Sequence, residues 1–513
     1  MWQAARTTST SGGRLVEQLA IDQILRARAD AAAGCADARA RLAALFDGHG
    51  ASFVEYGPLA GRTSEVDDDA PADGLVGGVG DVFGRPTVAA AYDRRVLEGT
   101  QSDRNQKKLD KLIYLARSNR WPLVVFLDGD GARPHDVLPV PPIVVYTRGR
   151  WDVYDGLAEL SGWVPTVAVI TGPIRDGHAG IAFLCDTVIA VRGATVGSGD
   201  GPAATARPVE DLAARGDIDL VVDDTDAAVT AVQRYLSYWF DDDAASAAAD
   251  GAAPGSPSPT AHEIGAIVPD NRRRAYDMRK LITAFADEGS VLELGRGWAP
   301  SMVTALARLG GRSVGIFANQ PLSPNAGAID SVAADKAARF VELCDSYELP
   351  LVSFVDNPGY MVGPDAERGG IARHHARPLS ALHHRTVPLY AVQVRKAYGL
   401  GPYAMSGYGS SRLVPELRLS WPSVESGGMS LEGAAYLVKR KEIQAAATPQ
   451  EARAIRDGYA EQMRDVASGV RAGRTYSFDD VVLPDETRPR IIAMLSRTVR
   501  TLPATKKHPV DPR

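Results

Sequence analysis

The two halves of this 513-residue chain run through the same series of elements, and that repetition limits the folds open to it more than any other feature. In the first half, "FGRPTVAAAYD" precedes the amphipathic "NQKKLDKLIYLARSNRW", then "PLVVFLDGDGAR" and later "VPTVAVITGPIRDGHAGIAFLCD". In the second, "GGRSVGIFANQ" precedes "DKAARFVELCDSYEL", then "PLVSFVDNPGY" and later "VPLYAVQVRKAYGLGPYAMSG". Each series reads as a strand, a helix, a Pro-Leu-Val strand closed by Asp and a glycine turn, a longer excursion, a further strand, and a glycine-containing turn that opens an Ala-rich helix. Gly84 and Arg85 answer to Gly311 and Arg312, Pro122 to Pro350, and Asp128 to Asp356, all at nearly the same offset. The pattern predicts an α/β fold made of two tandem copies of one superhelical unit.

The flanking segments divide the chain further. Residues 14–46 carry apolar side chains at helical spacing, so residues 1–70 read as a helical lead-in and 71–240 as the first domain. The run "DDDAASAAADGAAPGSPSP" is too rich in Ala, Gly, Ser and Pro to bury a packed face, so 241–262 reads as a flexible linker before a second domain at 263–513. With 45% hydrophobic and 23% charged residues, both domains have ample cores. A formal charge of -6 gives no footprint for a polyanion, although the short clusters "NQKKLDK" and "NRRRAYDMRK" suit a phosphorylated small molecule as well as a wet helix face. Cys35, Cys185 and Cys344 lie far apart in apolar or helical surroundings and read as reduced core thiols. No apolar run reaches the roughly 18 to 20 residues of a membrane span, and the N-terminus lacks the order of a signal peptide, so the expected location is the cytoplasm.

The chemistry is expected at the two glycine turns, "GPIRDGH" and "YGLGPY". Glycine between a strand and a helix leaves successive backbone N–H groups unpaired and unshielded, so two of them can point at one oxygen. Such a pair stabilises an enolate or tetrahedral oxyanion. A phosphate cradle fits less well, because neither turn has the GxxxxGK[ST] or GxGxxG spacing.

From "GSVLELGRGWAPSMVTALARLGGRSVGIFANQP" through "GAIDSVAADKAARFVELCDSYELPLVSFVDNPGYMVG" to "RKAYGLGPYAMSG", the second half resembles the carboxyltransferase (β) subunits of biotin-dependent acyl-CoA carboxylases, such as propionyl-CoA carboxylase. It resembles more closely still the carboxyltransferase domains of long-chain acyl-CoA carboxylases, which share the RK-x-YGLG turn and the "GTQ" at Gly99 to Gln101. The resemblance covers about residues 50 to 500 and implies two tandem crotonase-like ββα-superhelix domains. It implies transfer of a carboxyl group from carboxybiotin to the α-carbon of an acyl-CoA, with charge appearing on one biotin oxygen and one thioester oxygen. Backbone amides rather than a side-chain nucleophile would carry that reaction. By the same resemblance, Gly399, Leu400 and Gly401 would hold the biotin ureido oxygen, with Tyr398 and Lys396 beside it. Gly177 would hold the thioester oxygen, and Gly131, Ala132 and Arg133 would help shape the acyl-CoA pocket, unless they are a plain post-strand turn with a solvated arginine. The family joins domains of different subunits at its active sites, so an oligomer, as in a hexamer of carboxyltransferase subunits, is implied. No biotinylation stretch or ATP-binding region is found, so a separate biotin carboxylase and a biotin carboxyl carrier are implied partners.

The first turn departs from the family form, which has Ala-Gly-Gly where this chain has Arg175, Asp176, Gly177 and His178. The donor pair there is either Asp176 with Gly177 or Gly177 with His178. An anionic Asp176 needs Arg175 or His178 to pair with it. Arg395 and Lys396 could steer carboxybiotin or a CoA phosphate, or be solvated at a strand end, while Tyr398, Tyr403 and Tyr408 would wall the cleft. The histidines His374, His375, His383 and His384 are spaced poorly for a metal, and none is expected. Two rival readings stay open: a non-catalytic structural paralogue within such a complex, and another crotonase-type acyl-CoA hydratase or decarboxylase, which would need a base or a carboxylate pair in the cleft.

Overall fold

The computed structural model describes residues 10–61, 70–133, 153–199, 205–240, 243–272, 274–407, 415–498 and 502–512. The chain forms two compact units, the first made of Met1–Glu210 with Val221–Val232 and the second of Asp211–Leu220 with Gln233–Arg513.

The first unit is built on a nine-stranded sheet: β1 (Val54–Glu55), β2 (Leu75–Val82), β3 (Arg85–Tyr92), β4 (Leu123–Gly129), β5 (Thr166–Arg175) and β6 (Thr187–Val191) lie side by side, with β7 (Thr195–Ser198) pairing with the end of β5, β8 (Thr205–Pro208) pairing with β7, and β9 (Leu220–Val222) at the far edge. Strands β2 and β3 form an antiparallel hairpin, after which β3, β4, β5 and β6 run parallel. Helix α1 (Asp103–Asn119) makes the crossover between β3 and β4 and opens with a capping box at Ser102, whose hydroxyl accepts the Asn105 N–H. Every residue of β4 is buried, as expected of a strand covered on both faces. Helix α2 (Gly177–Leu184) follows β5 without a linker. In the N-terminal lead-in the helix Ala36–Leu45 buries Leu42 and Leu45, and Phe46 lies so close over Gly80 that a Cβ there would overlap its ring.

The second unit repeats the plan in an eight-stranded sheet of β10 (Leu292–Leu294), β11 (Met302–Leu309), β12 (Arg312–Asn319), β13 (Leu351–Asn357), β14 (Leu389–Tyr398), β15 (Leu417–Ser420) and β17 (Asp480–Val481), with β16 (Glu425–Gly427) beside the end of β14. The β11–β12 hairpin is antiparallel and β12 to β15 are parallel. Helix α3 (Ser331–Ser346), capped by the Asp330 carboxylate on the Ala333 N–H at 2.8 Å, replaces α1, and α4 (Gly401–Ser406) replaces α2. The correspondence reaches single residues: the parallel ladder slips between Leu127 and Gly129 in one sheet and between Val355 and Asn357 in the other. Phe126 and Phe354, fully buried on β4 and β13, contribute about 1.5–3 kcal/mol each by leaving water.

The linker expected at 241–262 is structured in part. Asp243–Asp250 is helical, and the Asp250 carboxylate meets the buried Arg308 guanidinium, whose second arm donates to Ser237 Oγ at 2.7 Å. Alanine is the best helix former, and a buried arginine needs an anion, two facts that low complexity conceals. All three cysteines are buried and none forms a disulfide.

Candidate active site

In the second unit, β14 ends at Tyr398 and the chain turns through Gly399 and Leu400 into α4. Gly399 adopts φ +61°, a conformation that glycine takes without strain, and gives its N–H to Gly427 O at 3.0 Å. Leu400 returns to a helical conformation, and Gly401 starts the helix with Pro402 behind it. A Cβ on Gly401 would overlap Asn357 Oδ1 and come within 3.0 Å of the Gly359 Cα. Asn357 cannot yield, since its Nδ2 donates to Asn319 at 3.0 Å and its Oδ1 accepts the Gly359 N–H at 2.9 Å. The Leu400 and Gly401 amides have no acceptor among the described residues. Beside the turn is a cavity of about 390 Å³ lined in part by Gly399, Pro402, Tyr403 and Gly427.

The polar side chains around this turn brace it. Arg395 is buried, its Nε donating to Asp356 at 3.0 Å and its Nη1 to Arg274 O at 2.9 Å, with the Tyr276 ring 5.0 Å from the guanidinium. It neither steers a ligand nor is solvated, the two roles open to it from sequence. The Tyr398 hydroxyl donates to Glu425 at 2.7 Å, and Glu425 also holds Arg272 and Arg464. Burial pushes that phenol up to about 12, so Tyr398 is a neutral strut. Lys396 is half-buried, and its ammonium has no ion-pair partner among the described residues. Tyr408 lies outside the described residues. His374 is engaged by Asp335 at 2.8 Å, and among the described residues no three metal-ligating side chains converge.

In the first unit β5 ends at Arg175, and Asp176 itself makes the bend, at φ 44° and ψ −106°. Its carboxylate accepts the Gly199 N–H at 2.9 Å, so neither Arg175 nor His178 neutralises it; Arg175 faces Asp130 at 3.7 Å instead. Gly177 opens α2 with Gln101 Oε1 and the Tyr154 hydroxyl where a Cβ would stand, and Tyr154 donates to Gly177 O at 3.2 Å. The Gly177 and His178 amides have no acceptor among the described residues, whereas the Asp176 N–H is donated to Gly197 O at 3.2 Å. Of the two donor pairs open from sequence, only Gly177 with His178 is available. The His178 imidazole plays no part at the surface: it is fully buried, 2.9 Å from Gly99 O, edge-on to Tyr92 at 4.4 Å, and burial pushes it down to about 4.

Two other sequence segments reach this turn. Gly131 packs against Asp176, and Gln101 pairs with Ala132 as an isolated parallel bridge, donating its N–H to Gly131 O at 2.9 Å. Gly99, at φ +64°, lies so near Gly129 that neither could carry a side chain. Arg133 departs from expectation. It turns into the core, pairing with Asp73 at 2.5 Å and donating to Thr100 Oγ1 at 3.3 Å, because Asp73 is a fully buried anion that needs a cation. Sequence reasoning missed Asn357 and Tyr154, whose only signal was position at a strand end or helix start.

Residues 30–510 match the carboxyl transferase domain family. The chain belongs to that family. It is 35% identical to the methylmalonyl-CoA carboxyltransferase 12S subunit of Propionibacterium freudenreichii subsp. shermanii over 98% of both chains. It is 32% identical to the propionyl-CoA carboxylase beta chain of Saccharopolyspora erythraea, over 93% of this chain and 90% of that one. A solved transcarboxylase 12S structure, a hexamer with hydrolysed methylmalonyl-CoA bound, superposes with a TM-score of 0.78 at 33% identity, covering 98% of this chain and 99% of that one. A single-chain, multi-domain long-chain acyl-CoA carboxylase superposes with a TM-score of 0.80 at 35% identity; the match takes in 92% of this chain but 48% of that larger one. The two sheets are therefore the paired crotonase-like domains of a carboxyltransferase.

Proposed function

We propose that this carboxyltransferase is the subunit of a biotin-dependent acyl-CoA carboxylase that transfers a carboxyl group from carboxybiotin to the α-carbon of an acyl-CoA. The observation that carries the reading is the pair of amides without acceptors among the described residues, at Leu400 and Gly401 in one unit and at Gly177 and His178 in the other, each with a glycine pressed against a polar side chain. Biotin fits the second-unit turn: a ureido oxygen takes two N–H donors, and the adjoining cavity of about 390 Å³ has room for its rings. When bound, carboxybiotin would supply the carboxyl group and, once that group has left it, the base that takes up the α-proton. The Leu400 and Gly401 amides hold its ureido oxygen, Gly399 keeps the turn open, and Lys396 adds positive charge nearby. In the first unit the Gly177 and His178 amides hold the thioester oxygen as the α-proton leaves, and Gly131 and Ala132 support the Asp176 bend.

Among the described residues near the first-unit turn, Asp130 faces Arg94 at 3.6 Å and Asp176 accepts from Gly199, while Asp128 meets Arg41 at 3.2 Å through one carboxylate oxygen and leaves the other, buried, without a partner. The working protein is an oligomer, hexameric like the 12S relative, acting in the cytoplasm with a separate biotin carboxylase and biotin carboxyl carrier. Among the described residues no helix is long and apolar enough to cross a membrane. Purification of the tagged chain from its source should bring down a biotinylated protein on a streptavidin blot, and the complex should fix labelled bicarbonate into an acyl-CoA panel. A complex that holds no biotinylated protein sinks the proposal; one that holds it but is active only through a paralogous chain makes this subunit structural.

A further inference from the structure

We infer that the Gln101 carboxamide is a side-chain contact for the acyl thioester oxygen, added to the backbone amides of the first-unit turn. The inference rests on the reading of that turn as the acyl-CoA site. Gln101 is 9% exposed, its Oε1 lies over Gly177 where a Cβ would overlap it, and its Nε2 has no hydrogen-bond partner among the described residues. The Tyr92 hydroxyl, which accepts from Gln106 Nε2 at 3.0 Å, is near enough to feel that amide but makes no well-aligned hydrogen bond with it. A buried donor left unpaired is unfavourable for the fold, so the fold alone gives no reason for glutamine here.

The second unit supplies the control. The isolated bridge of Gln101 with Ala132 has its counterpart in that of Ile329 with Tyr360, and Ile329 is buried in the same backbone slot. The architecture is satisfied by an apolar side chain there, whereas the first unit places a carboxamide against the glycine of its turn. Half a turn of the carboxamide about its last bond exchanges oxygen for NH₂ without moving any carbon. The N–H then lies over Gly177, beside the two free amides, and an incoming thioester oxygen is the acceptor the buried group lacks.

The test compares propionyl-CoA with S-propyl-CoA, the thioether that lacks the carbonyl oxygen, by isothermal titration of the full chain. The unmodified protein should prefer propionyl-CoA. Gln101→Met, which keeps length and loses the donor, should reduce that preference about five- to tenfold, and Gln101→Ile, copying the other unit, should do the same, with Tm within about 2 °C. In the assembled carboxylase, kcat/KM for propionyl-CoA should fall about 100-fold while KM for the carboxylated carrier stays fixed. An undiminished preference in both variants overturns the inference and leaves the proposed function standing. So does a fall in Tm of more than about 10 °C in both, which would make Gln101 a residue of the fold. If the unmodified chain binds neither compound, the acyl-CoA reading fails and the inference with it.

Discussion

The two units make the same bend by different means. In the second, Gly399 takes the positive φ and Leu400 relaxes to a helical conformation. In the first, Asp176 adopts φ 44° and ψ −106° itself and is tied down by its own carboxylate on the Gly199 N–H. Both bends end on a glycine pressed against a neighbouring polar side chain and present two amides without acceptors among the described residues. Duplication has thus kept the donors and changed their supports: rigid backbone and a locked asparagine on one side, mobile side chains and an anchored aspartate on the other.

That difference ranks the effects of adding one methyl group. Gly401→Ala meets the Gly359 backbone and an Asn357 fixed at both ends, so the turn itself must move. Carboxylation of acyl-CoA by the assembled complex should fall about 10³-fold, with propionyl-CoA binding retained. Gly177→Ala meets only Gln101 and Tyr154, whose ends can swing aside, so the fall should be nearer 10²-fold and should appear in acyl-CoA binding as well. If the two alanine variants lose activity equally, the distinction between rigid and mobile supports is wrong.

The next contrast is one of pH. The residue after the turn glycine is His178 in the first unit and Pro402 in the second, which cannot titrate. Burial holds the folded imidazole at about 4, against a weaker pull from Asp130 and the bond to Gly99 O. The unfolded chain has an ordinary histidine and binds the extra proton between about pH 6.5 and pH 4. Stability from this residue is therefore full above that window and lost as pH falls through it, by about 2 kcal/mol at pH 5. Hydrogen exchange at pH 5 should show residues 174–186 opening before residues 395–407, and His178→Gln should flatten the pH dependence. Equal opening of both segments would rule out His178 as its source.

The repeat, the glycines and the strand order were legible because each leaves a local mark: Pro122 and Pro350 start matching strands, and Gly401 follows an apolar run. What escaped depends on partners remote in sequence. Arg133 is a core residue only because Asp73 is buried beside it, and Arg395 only because Asp356 is, so neither could be told from a surface arginine by its neighbours. His178 contributes a usable backbone amide while its ring points inward to Gly99, a division that one letter cannot express. The helix at Asp243–Asp250 was hidden by composition, which registers low complexity but not the one aspartate that answers Arg308.

The smallest expected effect bears most directly on how the first bend is held. A non-glycine residue in the Asp176 conformation carries strain of order 1–3 kcal/mol, and the bond from Gly199 to its carboxylate returns about 1.5–3 kcal/mol. Asp176→Ala keeps the Cβ and loses the anchor, so it should destabilise the chain by about 1–2 kcal/mol and slow carboxylation about tenfold. Asp176→Gly loses the anchor and the strain together, and should sit within about 1 kcal/mol and threefold of the unmodified enzyme. The order matters more than either value, because an anchored aspartate that substitutes for glycine must be replaceable by glycine and not by alanine. Melting curves and carboxylation rates for the two variants decide it: if alanine does as well as glycine, the carboxylate is not what holds the bend, and the first unit keeps its donors in place through Gln101 and Tyr154 alone.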